Sequence, residues 1–303
     1  MDIIARLDHV TKTYGSVVAL DSVSVTIPPG VTAVLGPNGA GKSTMIEILA
    51  GLRRPSAGRV EVLGGDPTHV SVRRRLGLTP QATALPWRLT VAETLDLLAA
   101  HYPRAVPRES LVDTLDLGGF LHKRNGTLSG GQRRRVALAA ALIGSPELVF
   151  LDEPSTGLDA TSRDRMWSAI TEAALRGTGV VLTTHDMAEA EHLAHRVVVI
   201  AGGQVARTGS VTEVCAEVGL HLVDFAVTGP VPTLPGLIDT DRWETKGNRV
   251  HIYTPDPDRV VRTLVHQDVP FQDIRIDRVG LEEAIRTISI RTLDHTRIPE
   301  EVA

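Results

Sequence analysis

Cysteine is almost absent. Cys215 is the one cysteine in 303 residues, so no disulfide can form within the chain, and a reducing compartment fits. Long apolar runs are missing as well. Val136–Gly144 and Val197–Ala201 are the nearest candidates, and both fall short of the roughly 18 consecutive apolar residues that a membrane helix needs. The opening MDIIARLDHV mixes charges with apolar residues and builds no secretory leader. A membrane role would therefore be served from the side. Lysine is scarce: it stands only at 12, 42, 123 and 246, and the other basic residues are arginine. Basic charge is not in excess either. The net charge is −4, which lacks the footprint of a nucleic-acid binder. What remains, 42% hydrophobic and 22% charged residues, is ordinary for a globular chain with a full core.

The first part of the chain reads as α/β. Ser22–Ile27 alternates like an edge strand, and Thr32–Leu35 is a short buried strand followed by a glycine loop and a helix over Ser43–Leu49. Leu148–Leu151 and Val180–Thr183 are further buried strands, and Val197–Ile200 with Ala201-Gly202-Gly203-Gln204 reads as a hairpin. Between Gln81 and Leu128 the texture turns helical, opened by a capping box of Thr90 with Glu93. From about Leu220 it changes again. A Pro- and Gly-rich run, Gly229–Gly236, precedes strand-like Arg249–Tyr253, helix-like Pro257–His266, strand-like Phe271–Asp277 and helix-like Leu281–Ile288.

Three short stretches carry chemistry. Gly36-Pro37-Asn38-Gly39-Ala40-Gly41-Lys42-Ser43-Thr44 fits the P-loop pattern between a strand and a helix. Its glycines let N–H groups turn inward around phosphates, Lys42 can reach the β- and γ-phosphates, and the Ser43 hydroxyl can ligate Mg²⁺. Leu148–Glu153 is an apolar strand ending in two acids. Adjacent strand residues point opposite ways, so Asp152 is expected to hold Mg²⁺ and Glu153 to polarise an attacking water; a solvated pair of acids is the plainer alternative. Leu128-Ser129-Gly130-Gly131-Gln132 precedes a helix over Arg133–Ile143. Ser129 with Gln132 fits a helix cap, yet two glycines at a helix start cost roughly 1 kcal/mol each, and make sense where a phosphate must approach the backbone. One P-loop already serves this chain, so such a second site would serve another molecule's nucleotide.

In this order, the stretches resemble the nucleotide-binding subunits of ATP-binding cassette (ABC) transporters. Gly36–Thr44 looks like Walker A, Leu128–Gln132 like the LSGGQ signature, and Leu148–Glu153 like Walker B. Ser155–Asp159 resembles the D-loop, His185 the switch histidine, Gln81 the Q-loop glutamine, and Tyr14 the aromatic that stacks on adenine. The resemblance covers roughly residues 4–220. It implies a P-loop NTPase core with an N-terminal β subdomain and a helical subdomain inserted at about 82–145. It also implies two cassettes sandwiching two ATPs, with Glu153, His185 and Gln81 catalytic and Ser43, Gln81 and Asp152 around Mg²⁺. Ser129, Gly130, Gly131, Gln132 and Asp159 would act on the partner's nucleotide. Partners would be separate membrane permease subunits and a second nucleotide-binding subunit, expected to be a copy of this chain, at the cytoplasmic face of the cell membrane.

Residues 221–303 would form a small α+β accessory domain, dispensable for nucleotide chemistry, serving dimer contact or regulation or only capping the fold. The segment Gly280–Ile285 is similar to the closing segment of bacterial drug-, antibiotic- and lipid-exporter motors. That favours an exporter motor over an importer motor; a non-transport ABC ATPase is a third reading, disfavoured by the single cassette and lone cysteine. The apolar turn Ala84-Leu85-Pro86-Trp87 reads either as a socket for a partner's helix or as a staple for the helix capped at Thr90.

Overall fold

The computed structural model describes residues 3–79, 85–227 and 242–296. The chain divides into two compact units, one running to Ser210 and taking in the chain from Ser289, the other being Val211–Ile288. The first unit opens with β1 (Ala5–Tyr14), β2 (Val17–Ile27), β3 (Val31–Leu35), α1 (Lys42–Leu49) and β4 (Ala57–Val62). It continues with α2 (Val70–Arg73), β5 (Leu76–Thr79), α3 (Val91–Ala99), α4 (Arg108–Thr114), α5 (Gly130–Leu142) and β6 (Leu148–Asp152). After these come α6 (Ala160–Leu175), β7 (Gly179–Thr183), α7 (Met187–Leu193), β8 (Arg196–Ala201) and β9 (Gln204–Gly209).

Two sheets result. β2-β1-β4 is antiparallel, and β5-β6-β7-β3-β8-β9 is parallel except for the last hairpin. The pattern of burial explains the second sheet. β3 and β7 are buried at every position, and β6 at all but its last, as strands covered on both faces must be. The β8–β9 turn places Gly202 and Gly203 at φ +56 and +80, the two left-handed residues that a two-residue hairpin matching strand twist requires. One core joins the sheets: Leu7, Leu20, Ile27, Met45, Leu49, Phe150 and Ile200 are all buried in it. Removing the Phe150 ring from such a site costs about 3–5 kcal/mol.

The helices α3, α4 and α5 lie between β5 and β6. Thr90 opens α3 with the complete capping box, its Oγ1 accepting from Glu93 N at 3.2 Å while Glu93 Oε2 accepts from Thr90 N at 2.8 Å.

The second unit holds α8 (Val211–Val218), β10 (His221–Val227), β11 (Arg242–Lys246), β12 (Arg249–Thr254), α9 (Pro257–His266), β13 (Phe271–Arg278) and the start of α10 (Leu281–Thr296). Its sheet order is β11-β12-β10-β13, antiparallel throughout. Its core gathers Val223, Phe225, Val250, Ile252, Val260 and Leu264. The Pro- and Gly-rich run Gly229–Gly236 lies outside the described residues.

Candidate functional site

Parallel strands β3, β6 and β7 end at one edge of their sheet, so the loops that follow them meet there. After β3, Gly36 and Gly41 adopt φ +147 and +107. A Cβ would lie 2.0 Å from the Ile200 carbonyl oxygen at the first and 2.4 Å from that of Ala19 at the second, so neither position admits a side chain. Gly41 then serves as the N-cap of α1, and no side chain caps it. The first-turn N–H groups are left facing a ligand's side. Asn38, Gly39, Gly41, Lys42, Ser43 and Thr44 line an open cleft of about 290 Å³, together with Ala19, Asp152 and Glu153. Two loop residues shape it from behind: Gly36 lies against β8, and the Ala40 methyl is buried in the core.

Lys42 Nζ donates to the carbonyls of Gly36 and Pro37 at 2.8 and 2.9 Å. Burial pushes its pKa down, while the nearby Glu153 and Asp152 oppose the shift. A half-desolvated cation beside a helix N-terminus is a strong phosphate site.

The two acids are held by different partners. β6 and β7 pair Asp152 directly with Thr183, whose Oγ1 donates to Asp152 Oδ1. Glu153 N donates to the Thr183 carbonyl at 3.0 Å. His185 Nδ1 stands 3.3 Å from Glu153 Oε1, and Thr156 Oγ1 donates to Oε2 at 3.4 Å. The pleat does not separate the acids as expected from the sequence. The strand stops at Asp152 and Glu153 sits at φ +50, so both carboxylates reach one cleft. Such a left-handed backbone on a non-glycine residue costs on the order of 1–3 kcal/mol and gathers at functional sites. The His185 side chain is 60% exposed.

Ser129, Gly130, Gly131 and Gln132 do not line this cleft. They start α5, where Ser129 Oγ accepts from Gln132 N at 3.2 Å and Gln132 Oε1 accepts from Ser129 N at 3.0 Å. The Leu158 side chain lies 3.1 Å from where a Cβ on Gly131 would sit, so the loop before Asp159 packs on this helix start. Asp159 caps α6, accepting from Ser162 N and Oγ at 2.9 Å each. Those bonds hold its carboxyl below the usual range.

Tyr14 also stands outside the cleft lining. It is not a core residue, being 39% exposed, and its ring has Lys12 Nζ and the Arg53 guanidinium at 5.3 and 5.4 Å. Gln81 lies outside the described residues. Sequence reading missed Ala19, Thr156 and Thr183; a hydroxyl ending the apolar strand beside the acidic one was the signal for the last.

Among the described residues no group of three or more His, Cys, Asp and Glu side chains is placed to hold a metal. The cleft instead offers the hydroxyls of Ser43 and Thr44 and the carboxylates of Asp152 and Glu153 beside a phosphate loop. That donor set fits Mg²⁺, which is usually held by one or two protein oxygens and the substrate's phosphates.

Fold and site together define a P-loop ATPase. Residues 20–156 match the ABC transporter family. A daunorubicin resistance ATP-binding protein, DrrA3 of Streptomyces coeruleorubidus, is 36% identical, with 99% of each chain covered. Nod factor export ATP-binding protein I of Burkholderia thailandensis is 34% identical over 92% of this chain and 98% of that one. A solved ATP-binding subunit of an ABC transporter superposes with TM-score 0.66 at 26% identity, covering 71% of this chain and 93% of the other. A dimeric ATP-binding cassette in a post-hydrolysis state with ADP and Pi gives 0.63 at 29%, covering 68% and 98%. The chain belongs to the ABC transporter family, as an ATP-binding, ATP-hydrolysing subunit of the branch that includes the drug-resistance and Nod factor export proteins.

Proposed function

We propose that this chain powers export of a drug-, antibiotic- or lipid-like molecule through separate membrane permease subunits. It would work as a homodimer of cassettes at the cytoplasmic face of the cell membrane, with no nucleic-acid partner. The observation that carries the chemistry is one cleft lined by Lys42, Asp152 and Glu153, with His185 Nδ1 3.3 Å from the Glu153 carboxylate. Likeness to a daunorubicin resistance protein along 99% of both chains supports the exporter reading. Among the described residues no helix is long and apolar enough to cross a membrane, which agrees with separate permeases. A cavity lined by Leu78, Leu85, Pro86, Leu97, Leu98 and Tyr102, next to the 66% exposed Trp87, suits a permease's apolar helix. That exposure also argues against a staple role for Trp87.

Backbone N–H groups of the loop that follows Pro37, through Thr44, and Lys42 bind the phosphates, Lys42 exchanging its loop carbonyls for phosphate oxygens. Ser43, Asp152 and Gln81 would hold Mg²⁺, which when bound neutralises charge between the β- and γ-phosphates. Glu153 accepts the proton of the attacking water, and His185 steadies Glu153 and reaches the γ-phosphate. Tyr14 stacks on adenine. Ser129, Gly130, Gly131, Gln132 and Asp159 complete the partner's site. Residues 221–303 act as an accessory domain for dimer contact or regulation; of these, 221–288 fall in the compact unit Val211–Ile288.

Glu153→Gln tests the base. It should bind ATP normally, hydrolyse it at least ~100-fold more slowly, and accumulate as an ATP-bound dimer; near-normal turnover would reassign the role. Action across the dimer is tested by mixing inactive Lys42→Ala and Ser129→Arg chains. In the mixed dimer both lesions fall in one site and the other site is whole, so turnover should return. A mixture as inactive as its parents, with heterodimers demonstrated, counts against the trans assignment.

A further inference from the structure

Glu189 is the only acidic side chain among the described residues that is fully buried. It lies in the first turn of α7, four residues past His185, and points inward. Its Oε1 accepts from Trp167 Nε1 at 3.1 Å. The hydroxyls of Thr184 and Ser155 act on the same carboxyl, yet Oε2 makes no bond of full hydrogen-bond geometry. Burial pushes the Glu189 pKa up, outweighing these donors, and the like charge of Asp186 adds to the shift. A protonated carboxyl resolves the orphaned oxygen, because it can donate to a neighbouring hydroxyl where a carboxylate can only accept.

Three segments of the hydrolytic site converge on this group. Ser155 is two residues past Glu153, and Thr184 immediately precedes His185. Trp167 belongs to α6, the helix that Asp159 caps, and is fixed by stacking on His192 with ring centroids 4.8 Å apart. We propose that Glu189 is a positioning residue for ATP hydrolysis: anchored on Trp167, its carboxyl ties the turn after Glu153 to the strand end before His185 and so holds that pair in contact. The inference rests on the roles proposed above for Glu153 and His185. It requires shape and hydrogen bonding at residue 189, not charge, so an amide should serve as well as the acid.

The test measures ATP turnover of the full-length chain for Glu189→Ala, Glu189→Gln and Trp167→Phe, beside Glu153→Gln. Glu189→Ala should lower kcat roughly tenfold while the KM for ATP moves less than about twofold, the pattern of a misplaced catalytic group. Glu189→Gln should stay within about twofold of the parent, and Trp167→Phe should fall between. Undiminished kcat in a folded Glu189→Ala, even with lowered thermal stability, overturns the proposal and leaves a purely structural acid. A Glu189→Gln variant as slow as Glu189→Ala overturns the neutral carboxyl. Should Glu189→Ala not fold, the other two decide: a slow Trp167→Phe beside a parent-like Glu189→Gln supports the tie, and a parent-like Trp167→Phe overturns it. Normal turnover in Glu153→Gln would remove the base assignment and this inference with it. A slow Glu153→Gln beside a parent-like Glu189→Ala would remove this inference alone.

Discussion

Two helices of the cassette begin with nearly the same chemistry and end up in opposite states. α1 and α5 both start at glycines beside a serine, and both present a helix N-terminus. At α1 the N-cap is Gly41, whose left-handed backbone offers no side chain, so the first-turn donors and the Ser43 hydroxyl are left to the cleft. At α5 the N-cap is Ser129, and its hydroxyl is already engaged by Gln132 N while Gln132 returns the bond. The first end is a preformed anion site. The second is closed on itself, and a phosphate there must displace or share an existing bond. A ligand held mainly by another molecule's P-loop is the kind that could do so.

The contrast can be broken at either end. The largest effect is expected from Gly41→Ala: a Cβ 2.4 Å from the Ala19 carbonyl oxygen and an unfavourable φ should displace the loop and weaken ATP binding at least ~100-fold. Affinity near the parent's in a nucleotide titration would mean that α1 is not opened by this glycine. Ser129→Ala comes next. It should cost about 1 kcal/mol of stability through the lost cap, read as a lower urea midpoint, with ATP binding to the chain's own P-loop unchanged. Weakening comparable to that of Gly41→Ala would erase the distinction. The smallest change is Gln132→Ala, which removes only the return half of the box and should cost roughly 0.5 kcal/mol. A loss larger than that of Ser129→Ala would mean that Gln132 does more than cap.

What was legible in the sequence was local. The P-loop requires fixed residue types at fixed spacing, and both capping boxes depend on residues three apart, so all three formed where they were read. α5 begins at Gly130 and not at Arg133 because the cap includes the glycines in the first turn. What escaped depends on distant partners. The bond from Thr183 to Asp152 exists because β6 and β7 lie side by side in register; a hydroxyl at one strand end and an acid at another can be read in the sequence, but not which strands are neighbours. Glu153 leaves strand geometry just where the alternation rule was applied to it. In the second unit, β10 contributes Val223 and Phe225 to the core, although the reading began its strands only at Arg249. β11 carries a lone large apolar residue, Trp243, because it is an edge strand.

The placement of β3 sets a clock on synthesis. Val31 pairs with Val180 on one side and Thr32 with Arg196 on the other, so the strand that leads into the P-loop has neither neighbour when it leaves the ribosome. At ~5–20 residues per second, the roughly 150–165 residues that separate these partners take on the order of 10–30 s to make. Through that interval a five-residue apolar strand and the glycine loop must wait unpaired, and pairings so distant in sequence are intrinsically slow. The phosphate loop, encoded near the start of the chain, can thus settle against its sheet only after Ile200 has been translated.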